Sequence, residues 1–304
     1  MKTFDVVLLT DHRYVSPKEN NQYIKNVLTE DGLVEKALNK LGLRTTKKDW
    51  NDSVFDWDST HIALFRTTWD YFDQFPNFNN WLEKVKTKCT LINPYEQIRW
   101  NLDKHYLNDL KKFGVNIPKS EFIKRNSNIS LEEISRNNNW DEIVIKPTIS
   151  GAARHTYRLK NEEIKNFESK WENLISNEDF IIQEFQNNII EKGEVAIMLF
   201  GGQYTHSVIK KAKSGDFRVQ DDFGGSVENY QPSKEMIALA KEAIKQLKPT
   251  PAYARVDIIW DNESKIAVSE LELIEPELWF RFNESAADKL ALEIKDFLKN
   301  LTSS

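Results

Sequence analysis

A single cysteine, Cys89, excludes an intrachain disulfide framework from the 304 residues. Five histidines with no HxxE or HxxxH cluster argue against a transition-metal centre. No run approaches 18 consecutive apolar residues, so nothing is suited to span a membrane. The opening MKTFDVVLLT holds an apolar stretch too short for a signal peptide, and Asp5 interrupts it. Basic residues show no surplus: 42 Lys and Arg stand against 47 Asp and Glu, a net charge of −5. That balance leaves no electrostatic footprint for nucleic acid or an anionic membrane. Neither GxxxxGK[ST] nor GxGxxG occurs, so phosphate binding must use another device. Repeats and low-complexity tracts are also absent. The expectation is a cytoplasmic protein with small-molecule partners, no nucleic acid and no membrane, and a homodimer left open.

What the chain does contain suits a packed core. It is 40% hydrophobic and 12% aromatic, and its length reaches the roughly 250–300 residues where single cores stop growing. Two or three subdomains are therefore expected. Residues 4–10 (FDVVLLT) read as a buried strand. Residues 31–42 (DGLVEKALNKLG) read as an amphipathic helix, with Leu33, Ala37, Leu38 and Leu41 near one face. A strand at 61–66 and a helix around 77–88 complete a small α/β unit over roughly 1–92. Ligands in such sheets meet the carboxyl ends of strands. Those ends carry Asp11-His12-Arg13 and Arg66-Thr67-Thr68-Trp69-Asp70. Arg66 and Asp70 suit the carboxylate and amine of an amino acid, and Asp11 and Arg13 are similar in position. Trp69 and Tyr71 suit the walls of that substrate pocket, and plain packing explains them equally well.

Asn93-Pro94 breaks the chain, and a helix is expected over 103–113, ended by Gly114. Residues 119–185 read as β, α, β, loop, β, α, β, including IVIKP (143–147) and FIIQEF (180–185). From 193 strands dominate, as EVAIMLF, YTHSVIKKA and DFRVQ, before a helix at 233–247. YARVDIIW (253–260) and KIAVSELELI (265–274), joined by 261–264, read as a hairpin, and a last helix covers about 284–300.

The stretch ELELIEPELWF gathers Glu270, Glu272, Glu275 and Glu277. Two carboxylates about 5 Å apart repel by roughly 3 kcal/mol at an effective dielectric of about 20. If Trp260 pairs with Lys265, then Asp257 faces Val268 and Arg255 faces Glu270. Alternation puts Asp257, Glu270, Glu272 and Arg255 on one face, with Asp257 and Glu270 as diagonal neighbours and Leu271 and Leu273 turned to a core. A solvated face with Arg255 as counter-ion explains this patch as well as a bound cation does. Glu275 and Glu277 lie past the strand, where solvation suffices. Lys146 ends the apolar strand IVIKP, so its ammonium can face a cleft. Beside it, TISGAARHT (148–156) has small residues that let backbone N–H groups approach an anion. Lys104 sits in WNLDKHYL, where surface exposure is a lysine's ordinary fate.

In order, WNLDKHYL, IVIKP, TISGAARHT, FIIQEF, KKAKSGDFRVQDDFGG, YARVD and SELELIEP resemble the ATP-grasp superfamily, in particular its glutathione synthetase and ribosomal-protein glutamate ligase branch. The likeness covers about 93–280, and FRTTWDY narrows it towards the cycloserine-ring-forming enzymes and their bacterial relatives. It implies an α/β fold, α+β in the C-terminal part: an ATP-grasp fold with an N-terminal open parallel-sheet domain. The implied bounds are 1–92 for a substrate-side domain, 93–185 for a central lid subdomain and 186–304 for a C-terminal subdomain with the metal site. ATP and Mg²⁺ are the implied cofactors, one or two ions, with Mn²⁺ as a substitute. The implied partners are small carboxylate and amine molecules.

The resemblance also implies roles. Lys104 and Lys146 would contact phosphates, with Lys210 also at the ATP, under a mobile lid that includes Ser150, Gly151 and Ala152. The backbone of Gln183, Glu184 and Phe185 would meet the adenine edge. Glu191 or Glu194, the latter aligning better, would hold the ribose. Asp257, Glu270 and Glu272 would bind the metal, although the family's usual final pair is Glu-x-Asn. Arg255 and Arg218 would face the developing oxyanion, and Arg218 also has a surface ion pair with Asp216 or Asp221 open to it. The implied reaction is carboxylate–amine ligation through an acyl phosphate, between two molecules or within one. A nucleotide-binding regulator without catalysis is the third reading.

Overall fold

The computed structural model describes residues 2–302 except 20, 152, 214, 217 and 219–223. Strands β1 (Phe4–Thr10), β2 (Thr45–Asp49), β3 (Thr60–Thr67) and β4 (Thr90–Ile92) form a parallel sheet in the order β2-β1-β3-β4. Helices α1 (His12–Val15) and α2 (Gln22–Lys40) link β1 to β2, and α3 (Phe75–Val85) links β3 to β4. Helix α2 begins well before the expected residue 31. Asn21 caps it by accepting from the Ile24 N–H, and Val27, Val34, Ala37 and Leu38 form one buried stripe. Glu30 and Asp31 lie buried in that stripe and made its first half read as polar. Strand β2, TTKKD, has no apolar residue because it is a half-exposed edge, so its composition gave no strand signal.

Helix α5 (Tyr106–Lys112) is the helix expected over 103–113, begun three residues later, and α4 (Tyr95–Asn101) precedes it. Lys104 falls in the bend between them, where its N–H donates to the Thr148 carbonyl at 2.9 Å. Strands β5 (Ser120–Ile123), β6 (Glu142–Pro147), β7 (Tyr157–Lys160) and β8 (Phe180–Glu184) form an antiparallel sheet in the order β5-β8-β6-β7. Helices α6 (Leu131–Asn138) and α7 (Asn161–Ile175) cover one face, packing Ile134, Trp171 and Leu174 on Ile143, Ile145 and Phe180. This matches the order expected over 119–185.

Short α8 (Asn188–Lys192) leads to β9 (Glu194–Phe200), β10 (Gln203–Lys211) and β11 (Ser226–Asn229). Helix α9 (Lys234–Ile244), the hairpin β12 (Tyr253–Trp260) and β13 (Ile266–Glu272), and α10 (Ser285–Thr302) follow. The sheet order is β11-β10-β9-β12-β13, all antiparallel. Most of the strand expected at DFRVQ lies outside the described residues. Alternation along β9 divides the core: Val195, Ile197 and Leu199 pack towards α9, while Ala196, Met198 and Phe200 pack towards α10 and the N-terminal sheet. The N-terminal and C-terminal sheets therefore share one continuous core. No described helix is long and apolar enough to cross a membrane.

Candidate active site

A cavity of about 480 Å³ opens where the two antiparallel sheets and the carboxyl ends of β1 and β3 meet, within the range of about 300–1,000 Å³ usual for small-molecule sites. Three strands feed one of its walls. Asp257 pairs with Ala196 and Lys210 with Glu194, and the period of two places Glu194, Lys210, Arg255 and Asp257 on the same sheet face.

The hairpin completes this wall in a register that corrects the expected one. Trp260 pairs with Ile266, not Lys265, and a bulge at Ser269 shifts the ladder once more. Asp257 therefore lies directly opposite Glu270, and Arg255 opposite Glu272. The diagonal placement of Asp257 and Glu270 was wrong, although the shared face was right. The bulge also solves a conflict hidden in the sequence: Val268 and Leu271 are both buried in the core, while Glu270 and Glu272 turn to the cavity. Ser269 itself donates to Glu194 at 2.7 Å.

The charges interlock. Arg255 holds Asp257 through Nε at 3.0 Å and Nη2 at 2.9 Å, and also bonds Glu272. Lys210 Nζ lies 2.7 Å from Asp257 and also pairs with Glu194. Lys104 Nζ donates to the Ser150 carbonyl at 2.8 Å and lies 3.2 Å from Glu270. Burial pattern iBiBiB along β6 turns Val144 and Lys146 to the cavity and Ile143 and Ile145 to the core. Desolvation lowers Lys146, with Glu270 opposing and Lys104 adding. Desolvation would raise Glu270, but Lys104, Lys146 and Arg255 outweigh it and hold this carboxyl below the usual range. Glu272 moves the other way, raised by desolvation against Arg255, with Glu270 and Asp257 adding.

Carboxylate oxygens of Asp257, Glu270 and Glu272 lie within 4.8 Å of one another. An all-oxygen set of this kind suits a hard cation such as Mg²⁺. Together with Glu194 these carboxylates face Arg255, Lys210, Lys104 and Lys146, so four negative groups meet four positive ones. A wall already neutral accepts a divalent cation best when phosphate charge arrives with it. The residues present fit that pair.

The other expected positions divide. Ser150 and Gly151 line the cavity, and Ala152 lies outside the described residues. A Cβ on Gly151 would stand 2.6 Å from the Phe72 ring, so the loop after β6 rests on the N-terminal unit. Gln183, Glu184 and Phe185 line the opposite end. The Glu184 and Phe185 N–H groups already donate to Lys119 and Glu142, and their carbonyls accept from Gln186 and Asn262, so a base must share or replace these bonds. Glu194 lines the cavity; Glu191 is exposed on α8 and does not. Arg218 lines it too, held to Asp216 at 2.7 Å, while Asp221 lies outside the described residues.

The substrate end needs the larger correction. Arg66 does not reach the cavity. It shares the β3 face of Leu64, points under α2, and is 1% exposed, with Nε 3.6 Å from Asp31. Asp70 accepts from the Trp50 indole at 2.6 Å and from Gln74 at 3.1 Å, turned away from the cavity. Asp11 is fully buried, capping α1 and gripping Arg13 through Nε at 3.0 Å. Arg13 and Trp69 do line the cavity. So do Tyr14, Tyr23, Glu275 and Trp279, which sequence reasoning left out or gave to solvent. Their signal was position after β1 and β13, not residue type. Trp279 adopts a left-handed φ of 47°, which sets its ring 5.0 Å from the Arg255 guanidinium.

Known proteins share this fold. The family described as D-cycloserine synthetase DcsG, N-terminal domain, matches residues 6–93. The family described as prokaryotic glutathione synthetase, ATP-grasp domain, matches residues 110–270. The cycloserine biosynthesis protein DcsG of Streptomyces lavendulae is 26% identical over 278 residues, 86% of this chain and 92% of that protein. The crystal structure of D-cycloserine synthetase DcsG superposes with a TM-score of 0.84 at 24% identity, covering 96% of this chain and 99% of that one. D-alanine–D-alanine ligase from Bacillus anthracis, complexed with ATP, superposes with a TM-score of 0.65 at 12% identity, covering 98% of each chain. Because the ATP-grasp match spans more than half of its residues, this chain belongs to the ATP-grasp family of ADP-forming C–N ligases.

Proposed function

We propose that the protein phosphorylates the carboxylate of a small amino-acid-like substrate with ATP and lets an amine-type nucleophile displace the phosphate. ATP gives its γ-phosphoryl group to the carboxylate oxygen and leaves as ADP. The nucleophile forms the C–N bond and loses a proton, and inorganic phosphate departs. The observation that carries this reading is the convergence of Asp257, Glu270 and Glu272 with Lys104, Lys146, Lys210 and Arg255 on one cavity. Asp257, Glu270 and Glu272 would hold one or two Mg²⁺ ions, with Mn²⁺ as a substitute, which neutralise phosphate charge. Lys104 and Lys146 contact the phosphates, and Lys210 orients Asp257 and Glu194. Glu194 takes the ribose hydroxyls, and the stretch from Gln183 to Gln186 takes the base. Arg255 and Arg218 stabilise the oxyanion as the tetrahedral centre forms. The layout of 1–92, 93–185 and 186–304 as substrate, lid and metal units is part of the same proposal, as is action in the cytoplasm.

A second reading is ring closure within one molecule. It is favoured by the DcsG-type N-terminal match over 6–93, since that relative is named for D-cycloserine synthesis. Phosphate release across an amino-acid panel, each alone and in pairs, separates the two. Release that needs a pair supports intermolecular ligation; release with one compound and no second amine supports closure. No release above ATP alone across the panel, in a folded protein that binds ATP, would leave a nucleotide-binding regulator instead.

A further inference from the structure

The substrate end of the cavity carries an acid that the phosphate chemistry does not use. Glu275 follows β13, and its backbone carbonyl accepts from the Trp69 indole at 2.8 Å. Its carboxyl is hydrogen-bonded by the Tyr71 hydroxyl. The neighbouring charges already have partners. Arg13 is gripped by Asp11, Arg218 by Asp216, and Glu277 by Arg281. Among the described residues, Glu275 alone of the four carboxylates in its run forms no ion pair with Lys or Arg apart from contacts beyond 4 Å. Burial pushes its carboxyl up to about 7 even against the Tyr71 bond, as expected of a charge lacking a counter-ion. Beside it stands an aromatic wall. Tyr14 meets Trp69 edge-on with ring centres 5.6 Å apart, and Tyr23 lies 6.3 Å from Trp69. Both tyrosines and Trp69 line the cavity.

A half-buried carboxylate without a cation, next to aromatic faces, is complementary to a positively charged organic group. We propose that Glu275 and the Tyr14–Tyr23–Trp69 wall receive the ammonium group of the substrate, which makes Glu275 a specificity-determining residue for α-amino acids over simple carboxylic acids. This rests on the ligase reading above and names the substrate class within it. Glu275 holds the substrate by its charged nitrogen, while the phosphate machinery at Lys104 and Glu270 meets its carboxylate.

The test compares matched ligands on the full chain with ADP and Mg²⁺ present. Alanine, serine and glutamate, in both enantiomers, are titrated against propionate, 3-hydroxypropionate and glutarate, and affinity is read from the shift in Tm. The wild type should bind an amino member more tightly than its des-amino partner. Glu275→Gln should weaken the amino member about 10- to 150-fold, the loss of one charge-assisted bond, and leave the des-amino member unchanged. Glu275→Asp, which keeps the charge, should retain a preference for the amino member. Equal binding of both members by the wild type, or undiminished preference in Glu275→Gln, overturns the inference while leaving the ligase reading intact. A fall of many degrees in the ligand-free Tm of Glu275→Gln also overturns it, since Glu275 is then a structural acceptor for Tyr71. If the wild type binds no member of the panel, the amino-acid reading fails first and takes this inference with it.

Discussion

Arg66 offers a sharp division between a structural and a substrate-binding arginine. Its guanidinium is 1% exposed, 3.6 Å from Asp31 and 5.6 Å from the Phe280 ring centre. Nε and Nη1 have no hydrogen-bond partner, so the group is incompletely satisfied. Asp31 keeps Lys47 at 2.7 Å whether or not Arg66 is present. Arg66→Ala leaves Asp31 paired but opens a large void, at a cost of about 3–5 kcal/mol, as for truncating a large buried side chain. At about 2–4 °C per kcal/mol, that lowers Tm by roughly 6–20 °C. Arg66→Met fills the volume without charge, and such apolar replacements of buried ions are often neutral or stabilising. The expected outcome is a destabilised Ala variant and a Met variant with near-normal Tm and phosphate release. A Met variant that melts normally, binds ATP normally and yet loses tenfold or more in use of the acid substrate would refute the buried, structural role.

Two further outcomes follow from the packing. Gly151→Ala sets a Cβ 2.6 Å from Phe72, an overlap worth about 1–3 kcal/mol of packing strain. It should depress kcat/KM, Phe72→Ala in the same chain should restore it, and an unaffected single variant would show that the loop does not rest on Phe72 during turnover. Glu30 is pushed up to about 7 by burial and by the charge of Glu277, from an ordinary 4.5. A carboxyl raised in the folded state favours its protonated form there, so the contribution of Glu30 to stability is greatest below about 4.5 and falls as pH rises through about 7, by about 3 kcal/mol. Denaturant midpoints at pH 5 and pH 8 should differ less in Glu30→Gln than in the wild type; equal differences would contradict the buried-charge account of Glu30.

Much of the fold was legible because its elements are strongly patterned. The continuous apolar runs of β1, β9 and β12 and the β, α, β, loop, β, α, β order over 119–185 needed only period and turn chemistry. What escaped was structure held by polar contacts. Half of α2 hid behind buried Glu30 and Asp31, which accept from Arg281 and pair with Lys47 from distant parts of the chain. The metal-type cluster was legible because the true register at Asp257 differs from the assumed one by two residues, one at the turn and one at the bulge, and an even shift keeps Asp257 on the face of Glu270 and Glu272. The register itself turned on the bulge at Ser269, which no residue type announces. The substrate end misled for a related reason. Arg66 and Asp70 look like strand-end ligands in sequence, yet alternation and the turn after β3 send them to Asp31 and Trp50. Glu275 looked solvated because its partners, Trp69 and Tyr71, come from residues about 200 positions earlier.

The central claim is that Asp257, Glu270 and Glu272 bind the metal that accompanies ATP. Its most direct test is ADP formation with the acid substrate identified by the panel, measured for wild type and Glu270→Gln at graded Mg²⁺ and with chelator. Wild-type ADP formation should require Mg²⁺. Glu270→Gln should be folded, with an apo Tm modestly below the wild type because Lys104, Lys146 and Arg255 lose a carboxylate they stabilise, and should lose ADP formation or need far more Mg²⁺. Metal-independent ADP formation by the wild type, or an unchanged Mg²⁺ requirement in Glu270→Gln, would contradict it.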